Sequence, residues 1–133
     1  MSRGLRNCNP GNIRQSRSNF KGEVRPSRDS AFKQFESMAY GYRAMFVLLN
    51  SYHKRYGLTT IREMISRWAP PTENFTEGYI RFVAERTGIS ADAQVDSRSE
   101  RDMVPIVAAM SEIENGAKAA MNDVYEGWKL FSK

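Results

Sequence analysis

Two adjacent prolines, Pro70 and Pro71, stand between two segments of helical pattern and set the frame of this 133-residue chain. Each proline fixes its own φ and pushes the residue before it out of the α region, so a helix reaching Trp68 must stop there. The next helix cannot begin before the pair, and Thr76 is its predicted N-cap. Glu73-Asn74 then sits on a short, stiff connector that presents a carboxylate and an amide between an indole and a helix N-terminus. Such a connector suits a cleft edge. It equally suits a solvated loop acid favoured by a helix dipole, with Asn74 making a turn.

On both sides of the prolines the apolar residues recur at helical steps. Met38, Tyr42, Met45, Phe46, Leu48, Leu49 and Tyr52 predict a central core helix over 37–56, stopped by Gly57. Gly41 in its second turn predicts close packing of another backbone, since glycine there otherwise only weakens the helix. Thr60-Ile61-Arg62-Glu63 fits a capping box for a short helix over 61–68. A third helix is predicted over 77–86, with Gly88 as terminator. Ser97-Arg98-Ser99-Glu100 is a second capping box, opening a helix toward Asn115-Gly116 that buries Met103, Ile106, Val107, Met110 and Ile113. Pro105 either bends that helix or delays its start. The last helix, over 117–131, has a looser stripe of Ala120, Met121, Val124, Tyr125, Trp128 and Phe131. Near the start, Asn9-Pro10-Gly11-Asn12 is turn chemistry, and runs 20–24 and 31–35 predict a small irregular β-hairpin. The expected fold is mainly α (α+β), about five helices and one hairpin in a single domain over 1–133.

Composition narrows the chemistry. No apolar run approaches the roughly 18 residues that a membrane helix needs. The first residues carry charge but no apolar h-region, so synthesis in a cytoplasm without a signal peptide is expected. Cys8 is the only cysteine and His53 the only histidine, which excludes an internal disulfide and a Cys/His zinc cluster. His53 precedes Lys54-Arg55 late in a predicted helix, where the dipole accounts for it as a structural residue. Carboxylates are the catalytic groups left. Residues 1–33 hold eight Lys/Arg against two acids, a local +6 within a net +5. That asymmetry fits an anionic partner, either nucleic acid or an acidic wall polymer, and also fits a solubilising surface. Nucleic acid ranks last, because no predicted helix clusters the basic residues and the aromatics fall at core spacing.

In order, the chain gives Arg6-Asn7-Cys8-Asn9-Pro10-Gly11-Asn12-Ile13-Arg14, Phe20-Lys21-Gly22-Glu23, Phe32-Lys33-Gln34-Phe35, Gly41-Tyr42-Arg43-Ala44, Tyr56-Gly57-Leu58-Thr59-Thr60-Ile61 and Arg67-Trp68-Ala69-Pro70-Pro71-Thr72-Glu73-Asn74-Phe75-Thr76-Glu77-Gly78-Tyr79. Over about residues 3–90 this succession resembles a family of phage and prophage proteins related to the cell-wall-degrading virion protein of cystovirus-type phages. The resemblance implies a lysozyme-like, lytic-transglycosylase-type fold and cleavage of bacterial peptidoglycan. It implies no metal or cofactor, and it places the protein at the cell wall, in the periplasm or in a virion beside other virion proteins. A non-catalytic virion or wall-binding module on the same scaffold is the alternative.

Lysozyme-like enzymes generally place the catalytic Glu at the end of a long helix that precedes the β region, and no such helix precedes the Asn-Pro-Gly-Asn turn. The acid is therefore sought elsewhere: first at Glu73 beside Trp68, then at Glu23 on the hairpin and Glu36 at the start of the central helix. Glu36 also fits a helix N-terminal acid held by the dipole. Asn9, Asn12, Tyr40, Trp68, Asn74, Thr76 and Tyr79 are the expected sugar or peptide contacts, each with an ordinary turn or core explanation.

Overall fold

The computed structural model describes residues 1–71 and 75–133. Glu73 and Asn74, candidates of the proline connector, lie outside the described residues together with Thr72. Among the described residues the elements are, in order, α1 (Arg3–Arg6), β1 (Glu23–Val24), β2 (Gln34–Phe35), α2 (Met38–Tyr56), α3 (Ile61–Trp68), α4 (Thr76–Thr87), α5 (Glu100–Asn115) and α6 (Met121–Ser132). The architecture is mainly helical with one N-terminal hairpin, as expected. The single turn α1, capped by Ser2, was not foreshadowed by any periodic apolar signal.

The central helix α2 runs from Ser37, whose hydroxyl accepts from the Tyr40 N–H, to Gly57 at φ 66°. Its inward face buries Tyr42, Met45, Phe46 and Leu49 completely or nearly so. Helix α6 packs along it at close range, because a side chain at Gly127 would lie 2.6 Å from Tyr42 Cβ and 2.9 Å from the Ala39 carbonyl. The contact is sealed by Phe46 edge-on to Trp128 at 5.0 Å and stacked on Phe131 at 6.0 Å. Gly41 faces the N-terminal segment, where a Cβ would run into the Cys8 carbonyl. Replacing Gly41 with Ala should therefore destabilise the protein in chemical denaturation. Overpacking against backbone costs up to about 3 kcal/mol, more than the ~1 kcal/mol that alanine gains in a helix.

Several boundaries differ from the sequence reading. Thr76 is not the N-cap of α4. It is the first helical residue, Phe75 stands at the cap position without a side-chain bond, and the Thr76 hydroxyl donates instead to the Ala69 carbonyl across the proline loop. The cap of α5 is Ser99, not Ser97, whose hydroxyl crosses the core to Asn50 Oδ1 at 2.8 Å. Pro105 lies within a continuous α5 and neither delays nor ends it. Helix α6 begins at Met121, later than expected, and turns Val124, Gly127, Trp128 and Phe131 inward while Met121 and Tyr125 remain exposed. A glycine belongs to the buried stripe, which hydrophobicity alone does not register. The hairpin is also shorter than expected, pairing Glu23 with Phe35 and Val24 with Gln34.

Polar contacts make up for the hairpin's short ladder. Lys33 is 1% exposed, and its ammonium binds both oxygens of Glu23, at 3.1 and 3.0 Å, and the Ser18 carbonyl at 2.7 Å. Asp29 gathers Arg3 in a two-pronged contact at 2.6 and 2.7 Å, the Asn7 amide, and the N–H groups of Ala31 and Phe32. Part of the basic N-terminal charge thus holds the fold together.

The Arg3 guanidinium, helped by those N–H donors, keeps the Asp29 carboxyl well below the usual carboxylate range. A depressed folded pKa stabilises above the unfolded value of about 3.9, and that contribution is lost as pH falls through the folded value. Thermal melts should therefore show Asp29→Asn less stable than wild type at pH 7. The gap should narrow as the medium is acidified below about pH 4.

Candidate functional site

The site is built where the N-terminal turn meets the end of α5. Asn9 is fully buried and locks the turn by donating to the carbonyls of Ile13 and Lys33 and accepting from the Ile13 N–H, all at 2.9 Å. Gly11 lets the turn lie against Trp68, because a Cβ there would stand 2.7 Å from the indole. Asn12 has φ 50°, a left-handed conformation that asparagine tolerates better than most residues. From α5, Asn115 donates to the carbonyls of Pro10 and Ser111 at 2.9 Å and accepts from the Ser2 hydroxyl at 2.7 Å. Gly4 leaves room for this joint, with Asn115 Oδ1 only 2.5 Å from its absent Cβ. The N-terminal segment and the end of α5 are stitched together here.

Glu114, one residue before the end of α5, is the group that this joint positions. Its Oε1 accepts from the Asn12 amide at 2.8 Å and its Oε2 from the Tyr79 hydroxyl at 3.0 Å, and the Trp68 indole lines the same cleft. Burial pushes the Glu114 carboxyl up from its ordinary value, and this outweighs Asn12, Tyr79 and the Trp68 indole, which favour its ionised form. The C-terminal end of a helix dipole acts in the same upward sense. Burial and the adjoining carboxylate likewise raise the Tyr79 phenol well above its usual range, so it remains a donor. Glu114 opens onto a cleft of about 600 Å³ lined also by Asn12, Arg14, Phe32, Leu48, Tyr52, Trp68 and Pro70. That size fits a small-molecule or sugar site. A partly buried carboxyl on a cleft wall, held by two donors and with its proton affinity raised, is equipped for general acid chemistry.

No family model matches the chain. Over 119 residues it is 38% identical to Protein P5 of Pseudoalteromonas phage PM2, an alignment that covers 87% of this chain and 72% of that protein. The chain belongs to the family of phage PM2 Protein P5. The expectation of a phage-type protein therefore holds for this P5-family member.

The expected site residues separate into two groups. Asn12, Trp68 and Tyr79 converge on Glu114. Glu73 and Asn74 lie outside the described residues, and the other candidates are engaged elsewhere. Asn9 spends its amide on the turn, and Thr76 is 6% exposed with its hydroxyl on Ala69. Tyr40 packs against Gly22. Glu23 is enclosed by Lys33 and Arg25, at 3.0 and 3.1 Å, with its side chain 4% exposed. Glu36 is exposed just before the α2 cap, and neither it nor Glu23 lines the cleft.

Glu114 itself was missed by the sequence reading, which stopped the resemblance near residue 90. The signal was present in α5. Met103, Val107, Met110 and Glu114 follow one another at steps of four, three and four, so the acid is in phase with the buried stripe.

Proposed function

We propose that this P5-family protein cleaves the glycan strands of bacterial peptidoglycan, with Glu114 as the general acid. The observation that carries the reading is a partly buried carboxyl of raised proton affinity at the end of a long helix, facing an open cleft. The meeting of that helix end with the polar Asn-Pro-Gly-Asn turn, through Asn12 and Pro10, supports the reading.

In this reading the protonated Glu114 gives its proton to the glycosidic oxygen as the bond to the anomeric carbon breaks, and an oxocarbenium-like state develops in the cleft. Asn12 and Tyr79 hold the carboxylate that remains. Glu114 then takes a proton back from the incoming nucleophile, which is the sugar's own 6-hydroxyl in a transglycosylase or a water in a hydrolase. Among the described residues Glu114 is the carboxylate that lines the cleft, which favours the one-acid transglycosylase scheme. Glu73, on the connector that follows the cleft residue Pro70, is the second carboxylate to be tested beside it.

Digestion of purified peptidoglycan, with the soluble products identified by mass spectrometry, tests the proposal. Anhydro-sugar ends would support transglycosylation, and reducing ends would support hydrolysis. Folded protein that binds wall and releases nothing would replace this reading with a wall-binding or virion structural module.

A further inference from the structure

The two oxygens of Glu114 are not equivalent. Oε1 accepts from Asn12 at 2.8 Å, and Asn12 lines the cleft beside Glu114. Oε2 accepts from the Tyr79 hydroxyl at 3.0 Å, and Tyr79 is 7% exposed and stands outside the cleft wall. One oxygen is thus on the cleft side of the carboxyl, and the other is tied back to the buried face of α4.

A protonated carboxyl has one carbonyl oxygen, a good acceptor, and one hydroxyl oxygen, a poorer one. A phenol donating to Oε2 therefore favours the form in which Oε2 is the carbonyl and Oε1 carries the proton. Asn12 can still donate to Oε1, because a hydroxyl oxygen keeps lone pairs that accept, and an amide is the weaker of the two donors. Once the proton has left, the phenol donates to a charged group, a bond roughly twice as strong as a neutral one. The contact strengthens as the acid reacts.

Other charged and titratable groups nearby do not share this position. Arg14 and Tyr52 line the same cleft, and among the described residues neither bonds to Glu114. Glu112, two residues earlier on α5, is paired with Arg86 of α4 at 2.6 Å.

We infer that Tyr79 is a positioning residue for the acid: it ties back Oε2, so that Oε1 carries the transferable proton and delivers it into the cleft. This rests on the glycan-cleaving reading above and adds to it the atom that reacts. The O–H bond at Oε1 breaks as the glycosidic oxygen takes the proton, and the electron pair of that oxygen's bond to the anomeric carbon stays with the oxygen. Glu114 is left as a carboxylate, and Oε1 later takes the proton of the incoming hydroxyl as its oxygen bonds to the anomeric carbon.

Two readouts on the full chain test this. Infrared difference spectra between acid and neutral pH, with the Glu114 band identified by its loss in Glu114→Gln, report the carbonyl stretch of the protonated carboxyl, which rises when the carbonyl oxygen loses a hydrogen bond. Tyr79→Phe should raise it. Asn12→Gly, which suits the left-handed φ of 50° at that position, should leave it in place. In cleavage of purified glycan strands, Tyr79→Phe should lower kcat about tenfold or more, the size of a lost hydrogen bond to a charged group. KM should not change, because Tyr79 does not line the cleft. Losing a donor to the ionised form keeps the proton on Glu114 to higher pH, so the alkaline limb of the rate profile should move up by about one unit or more. A carbonyl band moved by Asn12→Gly and not by Tyr79→Phe, or a rate profile that Tyr79→Phe leaves in place, would overturn the assignment. Bands that behave as expected in a protein that cleaves no glycan would uphold the hold of Tyr79 on Oε2 and overturn the glycan reading alone.

Discussion

Glu114→Gln should fold as well as wild type and lose peptidoglycan cleavage by about 10²- to 10⁴-fold, the usual contribution of a general acid. The substitution is close to isosteric. The new amide oxygen can still accept from Asn12, and its N–H can donate to the Tyr79 hydroxyl, which rotates from donor to acceptor. What disappears is the transferable proton.

Stability should report the same group. Because the folded Glu114 carboxyl is raised, its contribution is fully present below the unfolded pKa of about 4.3 and is lost as pH rises through the folded value. Melting curves of wild type and Glu114→Gln should therefore diverge in favour of the variant between acid and neutral pH. Activity should fall over the same upper range, as the acid loses its proton. Full cleavage by Glu114→Gln, with loss in Glu73→Gln instead, would move the acid to the proline connector.

Lys33→Met should produce the largest loss of stability, about 3 kcal/mol. The ammonium is 1% exposed and its partner, the Glu23 carboxylate, 4%. Removing the cation leaves that carboxylate buried with only the half-exposed Arg25 and the Phe20 N–H as partners. Arg25 keeps the cost near the lower end of the range for a broken buried pair. Adding Glu23→Gln to Lys33→Met should recover most of the loss, since an apolar and neutral pair no longer strands a charge. Urea denaturation of the two singles and the double closes the cycle. If Lys33→Met were as stable as wild type, the pair would not be what holds the short hairpin. The same cycle bears on Glu23 as a candidate acid, because Glu23→Gln should cost stability rather than rate alone.

Much of the fold was legible because its signals are local. The capping box at Thr60 and Glu63, the left-handed Gly57 and Gly88, and the period of α2 are each decided within a turn or two of chain. Gly41 could be read as a close approach because a glycine inside a strong helix needs a reason. Where local cues were ambiguous, tertiary contacts chose between them. Ser97 and Ser99 both begin plausible caps, and Ser97 was claimed by Asn50. Thr76 was claimed by the Ala69 carbonyl. The inward face of α6 was set by how closely Gly127 lets it approach α2.

The site was legible only in halves. The Asn-Pro-Gly-Asn turn, Trp68 and Tyr79 could be singled out from sequence because turn chemistry and the proline loop mark them. Glu114 showed there only as an acid in phase with the buried stripe of α5, since its partner Asn12 lies 102 residues away along the chain. By itself the sequence determined where the main helices lie, the capping box of α3, the stop at the prolines and an inventory in which carboxylates are the candidate acids. All of these follow from backbone sterics, short-range hydrogen bonding and residue inventory. Only the tertiary structure decided which carboxylate is desolvated and which is ion-paired, because a carboxyl's proton affinity is set by what surrounds it after folding. That is why Glu23, beside a buried lysine, and Glu114, beside an amide, a phenol and an indole, are suited to different work.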